Sequence, residues 1–299
     1  MPAAPHVQHR PLLAILLRLG AAAALSLMFT LVKLAAARGV HAVESVFYRQ
    51  LFALPLIVGW AMLGGGLASL RTDRIRLHAS RMVVGLIAMT LNFAGMAMLP
   101  LAEATAIGFT VPLFATLAAT LFLGERVGPW RWSAIALGLV GTIILVDPSG
   151  AALTGHAGGA AVALAGAAMT AAVTILIRQL GATEPATRTV FWFTLLSMIP
   201  LTPAMLLFGR AHDAGTFGLL LAMAMAGGVA QILLTSALRL APVAVVLPMD
   251  YSSLLWASLL GWITFATLPA STTLLGAPLI ILSGLLILWR ERGRAGSSG

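Results

Sequence analysis

With 60% of its 299 residues hydrophobic, 9% charged and a mean hydropathy of +1.00, the chain departs from the roughly 25% charged content of a soluble domain and excludes that class. Its formal charge of +9 does not point to nucleic acid, because the basic residues fall in short gaps between apolar runs instead of clustering on one face. The absence of cysteine excludes a disulfide framework and a thiolate metal site.

Apolar runs of about 20 residues, the length that crosses about 30 Å of hydrocarbon, predict ten membrane helices. They span 12–37, 43–63, 81–99, 103–123, 131–147, 158–180, 187–208, 214–237, 242–265 and 270–289. The first run imitates a secretory signal, with a basic start and Ala35-Ala36-Ala37, but it is too long and leads straight into another span, so it reads as a retained helix. No gap has room for a soluble domain. An internal N-terminus puts fourteen arginines at cytoplasmic ends, Arg18 and Arg81 among them, against Arg38 and Arg210 outside. The expectation is a multi-pass protein of the bacterial inner membrane with both termini cytoplasmic.

Two segments share a design: LPLAEATAIGFTVPLFATLAATLFLGERV at 99–127 and LAPVAVVLPMDYSSLLWASLLGWITFATL at 240–268. Each carries a proline inside its span, Pro112 and Pro248, and leads to a final span with a late glycine, Gly141 and Gly284. A second pair, 31–52 and 176–196, sets Lys33 near Arg178 and Arg49 near Phe193. The spacing divides the chain into five-helix repeats at 12–147 and 158–289. An odd number of spans per repeat makes the copies enter the membrane from opposite sides, the architecture of alternating access around a midplane site.

Lys33, the VESVFYRQLF stretch around Arg49, the proline of TVPLF, LFLGE at 121–125, Trp132 and GLVG at 138–141 resemble the drug/metabolite transporter superfamily, EamA type. Within it the likeness is to bacterial exporters of amino acids and metabolites, those of aromatic amino acids and methyl viologen among them. The resemblance implies ten helices, two inverted repeats and export of small organic solutes. The second half departs from the pattern, with Ala266-Thr267 where Gly-Glu is expected.

Polar residues within spans are the candidate site. Asp250 lies roughly 10 Å into the ninth span, where a lipid-facing carboxylate costs on the order of 3 kcal/mol, so it is expected to face inward. Pro248 removes a backbone donor beside it and Pro112 does the same in helix four; paired interruptions mark a transporter's site. Asp250 reads either as an ammonium-binding or proton-coupling group, with Tyr251 and Trp256 offering aromatic surface, or as the ion-pair partner of an arginine such as Arg49. Lys33 either reaches the cavity or snorkels outward. Asn92, Met96, Thr170 and Gln231 line the expected cavity, or serve interhelical hydrogen bonding and packing. Arg49 is expected to pair with Glu44, cap carbonyls or contact the substrate directly, and Glu125 and Arg126 to link the repeat halves.

The chain has no HExxH or GxSxG motif, no phosphate-binding loop and no Cys/His cluster, so no enzyme, cofactor or metal is expected. The expected partners are a small-molecule substrate and the lipid bilayer, with no nucleic acid. A nonselective solute channel and an intramembrane enzyme are the rival readings.

Overall fold

The computed structural model describes residues 11–64, 66–123, 129–146, 157–181, 183–240 and 247–295. Glu125 and Arg126 lie outside them. The described chain is all-helical, with α1 Pro11–Ala37, α2 Ala42–Gly64, α3 Ile75–Met98, α4 Leu101–Gly108, α5 Val111–Leu123 and α6 Pro129–Val146. There follow α7 Ala157–Gly181, α8 Ala186–Phe208, α9 Ala214–Leu240, a 3-10 turn Leu247–Ser252, α10 Ser253–Phe265 and α11 Ser271–Ala295. Among the described residues seven segments are long and apolar enough to cross a membrane, and Trp132–Leu145 and Ser271–Leu286 are shorter apolar helices. Large apolar side chains stand on the outside, Leu206 at 88% and Leu207 at 82% exposure, as lipid contact requires and water would oppose.

Local chemistry sets the ends. Pro11 suits the first turn of α1, where its missing N–H has no partner to lose. At the other end Gly39, at φ 83°, lets the Val40 amide return to the Ala35 carbonyl and close the helix. The expected helix 103–123 is interrupted at Phe109 and Thr110. Pro112 cannot donate to the Gly108 carbonyl four residues back, and the chain turns there instead. The Thr110 amide and hydroxyl both donate to the Ile107 carbonyl, at 2.9 and 2.7 Å. In the second half the described residues enter at Leu247–Ser252 as a 3-10 turn holding Pro248, which leads into α10.

Helix α1 packs on α9 and α10; α3 packs on α7 and α8; α2 packs on α8 and α9; α7 also meets α4 and α5, and α4 meets α10. Helices α6 and α11 pair through glycine: a Cβ on Gly141 would stand 2.8 Å from the Gly276 carbonyl, and one on Gly276 would stand 2.5 Å from the Gly141 carbonyl. Only small residues allow backbones this close, and such contacts drive association where lipid removes the hydrophobic force.

Candidate functional site

The α4–α5 break touches the 3-10 turn at Leu247–Ser252. Tyr251, in the 3-10 turn, sets its ring edge-on to Phe109 at the α4–α5 break, with centroids 5.0 Å apart. Its hydroxyl lies over Gly284 of α11, where a Cβ would occupy the same space. Beside it Asp250 accepts from both Nε and Nη2 of Arg18 in α1, each at 2.5 Å. This corrects two expectations: the arginine is not Arg49, and Arg18 is not a marker at the helix end but a buried residue, 5% exposed, about 10 Å along α1. A fork of two N–H groups matches a carboxylate in shape and charge, so the pair enters the bundle as a neutral unit. The Ser26 hydroxyl also bonds the Ser253 carbonyl at 3.2 Å, tying α1 to the start of α10.

Arg49 does not pair with Glu44. Its Nη1 donates to Gln50 Oε1 at 3.1 Å and approaches the Met89 sulfur at 3.6 Å. Its Nε is buried, while part of the side chain stays uncovered. Gly227 of α9 leaves room for it and for Met28. Arg81 of α3, also expected at a helix end, is buried; its guanidinium stacks on Phe193 of α8 at 3.9 Å from the ring centroid, over Gly85. Arg49 and Arg81 repel one another electrostatically.

Other candidates have partners of their own. Lys33 donates to the Leu99 carbonyl at 2.6 Å, with Ala97 O at 3.5 Å, and lies over the Phe265 ring at 5.6 Å. A cation there satisfies carbonyls that the end of α3 leaves without donors. Asn92 Nδ2 donates to Thr170 Oγ1 at 2.9 Å across the α3–α7 contact, where Gly166 admits the amide. Met96 is buried in the same core, Gln231 is half-buried on α9, and Trp256 stands on α10 beside the exposed Leu255 and Leu259. The structure thus brings together Asp250 with Tyr251 and Asn92 with Thr170, while Lys33 serves a separate helix end.

An acid–histidine bridge stands near each end of the α2–α8 contact, one joining Glu44 of α2 to His212 of the α8–α9 connection, the other joining Glu184, just ahead of α8, to His78 of α3. At one end Glu44, fully buried, meets His212 Nε2 at 2.7 Å, and His41 stacks on Phe208. At the other, Glu184 accepts from Thr72 at 2.7 Å and Arg188 at 3.2 Å, with His78 Nε2 at 3.4 Å. Arg188 and Trp192 also donate to the Ser69 and Leu70 carbonyls of the α2–α3 connection. Burial pushes the Glu184 carboxyl up, and the hydrogen bonds from Thr72, Arg188 and His78 outweigh it, holding the group below the ordinary glutamate value. Among the described residues no group of three or more His, Asp or Glu side chains is placed to hold a metal ion.

Arg18, Arg81, Phe193 and the two bridges were not singled out by the sequence. The signal for Arg81 lay in Ile75–Ser80 ahead of it, a stretch able to continue the helix and so to carry the arginine inside.

Comparison with known proteins closes the assignment. The pattern of the EamA-like transporter family matches residues 12–147 and 157–289. A riboflavin transporter of Rhizobium johnstonii is 34% identical over 82% of this chain and 78% of its own length. A pseudopaline exporter of Pseudomonas aeruginosa is 27% identical over 93% and 97%. An S-adenosylmethionine uptake transporter of Rickettsia bellii is 25% identical over 84% and 85%. A solved crystal structure shares the fold at a TM-score of 0.62 and 19% identity, covering 91% of this chain and 96% of that one. The chain belongs to the EamA-like transporter family of the drug/metabolite transporter superfamily, a multi-pass membrane protein of a bacterial transporter family.

Proposed function

We propose that this chain is a secondary carrier that exports amino acids or similar small amphipathic metabolites by alternating access. Ten spans form two inverted repeats, 12–147 and 158–289, in the inner membrane with both termini cytoplasmic. The observation that carries the reading is that the larger helix contacts survive exchange of the halves, while α2–α3 and α1–α3 have no counterpart of similar extent. Exchange sends α1 to α7, α2 to α8, α3 to α9, α4–α5 to the 3-10 turn with α10, and α6 to α11. The contact of α1 with α9 then becomes that of α7 with α3; α2 with α9 becomes α8 with α3; α1 with α10 becomes α7 with α4 and α5. The pairs α2–α8, α4–α10 and α6–α11 map onto themselves. An acid–histidine contact stands at each end of the α2–α8 pair, Glu44–His212 at one and Glu184–His78 at the other. Two halves so related have two equivalent ways of rocking, one open to each side.

In this scheme Pro112 and Pro248 break the helices that meet at Phe109 and Tyr251, and Asp250 is the proton-coupling group released from Arg18 during the cycle. Tyr251, Trp256, Met96 and Gln231 serve the substrate, and Lys33, Asn92 and Thr170 hold the lining helices. Relatives named for riboflavin, pseudopaline and S-adenosylmethionine support a small organic solute as cargo. Purified protein in sealed liposomes, given a panel of radiolabelled amino acids, tests this reading. Saturable counterflow supports the carrier; linear leak would make it a channel, and a chemically altered solute an intramembrane enzyme.

A further inference from the structure

We propose that the region where α2, α3, α8 and α9 meet binds an oxyanion, a carboxylate or a phosphate, borne on a small apolar body. Its place in a transport cycle rests on the carrier reading above; its geometry does not. Arg49 and Arg81 bring two guanidiniums into the interior, and among the described residues neither forms a salt bridge. Three carboxylates near these helices are engaged elsewhere: Glu44 with His212, Glu184 with Thr72 and Arg188, Asp250 with Arg18. Arg49 Nε, Arg81 Nε, Arg81 Nη1 and Gln50 Nε2 are buried without a hydrogen-bond partner.

Each of these orphaned atoms is a donor, so one kind of group satisfies all of them: an acceptor-rich anion. Stacking on Phe193 engages the face of the Arg81 guanidinium and leaves the N–H groups on its edge available for a planar or tetrahedral oxyanion. Gln50 gives its oxygen to Arg49 and so has only its amide nitrogen left to offer. Arg49 and Arg81 also repel each other, and an anion held between them turns that repulsion into attraction. Arg81 lies eight residues before Met89, about 12 Å of helix, and its guanidinium reaches over Gly85, one turn closer, while Arg49 approaches Met89 itself. Met28, Met89 and Phe193 supply a deformable apolar wall for the rest of the molecule.

The chain has no cysteine, so the charge of the site can be read with one introduced thiol. Met89→Cys is labelled in the full-length purified protein with the anionic sulfonatoethyl and the cationic trimethylammonioethyl methanethiosulfonates. Both reagents attack the same thiolate, so their rate ratio, normalised to a free thiol, reports local potential alone. An anion preference of about tenfold or more is expected from the Arg49 guanidinium at 3.6 Å from the Met89 sulfur, with Arg81 adding to it from two turns earlier in α3, at intermediate dielectric. Equal rates, a cation preference, or no labelling by either reagent would overturn the proposal. Arg49→Gln and Arg81→Gln in the Met89→Cys background should each lower the preference; if these variants do not fold, the ratio in the single variant still decides. Protection by phenylacetate or phenyl phosphate beyond that given by neutral phenylacetamide is expected and says which oxyanion fits, whereas protection no better than phenylacetamide's counts against the site. Labelling needs no flux, so a failed counterflow assay with the anion preference intact would remove the carrier and leave the anion site, and the converse would do the reverse.

Discussion

Arg18 and Asp250, 232 positions apart in the chain, meet through two parallel hydrogen bonds that join the first transmembrane helix to the turn preceding α10. The arginine is buried and the carboxylate is 42% exposed, so the acid is the member open to exchange. Removing it alone leaves a buried guanidinium without its counter-charge. Asp250→Asn is therefore expected to destabilise the protein by about 1.5–3 kcal/mol, the range for hydrogen bonds to charged groups. Arg18→Gln combined with Asp250→Asn should recover part of that loss in thermal unfolding of the purified protein. A double variant as unstable as the sum of the singles would show that the pairing is not what holds the turn.

Ala266 ends α10 at φ 54°, the left-handed conformation that a side chain disfavours, with its amide bonded to Trp262 O and that of Thr267 to Gly261 O. This is the position where the second repeat departs from the Gly-Glu of the first. Ala266→Gly should raise stability by about 1 kcal/mol by relieving the clash of Cβ with the backbone. An unchanged or lowered unfolding midpoint would count against the cap.

Gly284 has the opposite character, since its missing Cβ is the space that the Tyr251 hydroxyl fills. Gly284→Ala should cost about 1–3 kcal/mol, the usual penalty for overpacking. Adding Tyr251→Phe, which removes the crowded oxygen, should return much of it. Equal stability of the single and double variants would mean the ring does not sit there.

The position of Glu184 gives a pH dependence with a definite sign. Its carboxyl lies below the ordinary glutamate value in the folded protein, so the folded state binds fewer protons than the unfolded chain between the two values. The stabilisation is complete above the unfolded value and is lost as pH falls through that value toward the folded one. Glu184→Gln should flatten this acid-side fall, measured as unfolding midpoint against pH; an unaltered slope would show that the Thr72–Glu184–Arg188 network contributes nothing to it.

The sequence and the structure part company at charged residues. Helix α1 was expected at 12–37 and runs Pro11–Ala37, because a long apolar run between a proline and a glycine leaves little freedom. Helix α3 was expected to begin at Arg81 and begins at Ile75, because hydropathy treats an arginine as an edge while the helix continues through IRLHAS. That error concealed the stack of Arg81 on Phe193. Arg18 was misplaced for the same reason, its burial depending on a carboxylate 232 positions away. Lys33 bonds backbone carbonyls, which no residue pattern advertises. The break at Pro112 was legible because a missing N–H is a property of the residue itself.

The central claim is that the two halves rock against one another, opening the bundle first to one side and then to the other. The most direct measurement ties one end shut. In Glu44→Cys/His212→Cys, whose side chains replace a 2.7 Å contact, a short bifunctional methanethiosulfonate should bridge the positions in proteoliposomes, and counterflow of a transported amino acid is then followed before bridging, after it, and after reduction. The account predicts saturable counterflow in the unbridged variant, its loss on bridging, and its return on reduction. Counterflow that persists through complete bridging, or uptake that internal substrate does not accelerate even before bridging, would contradict it.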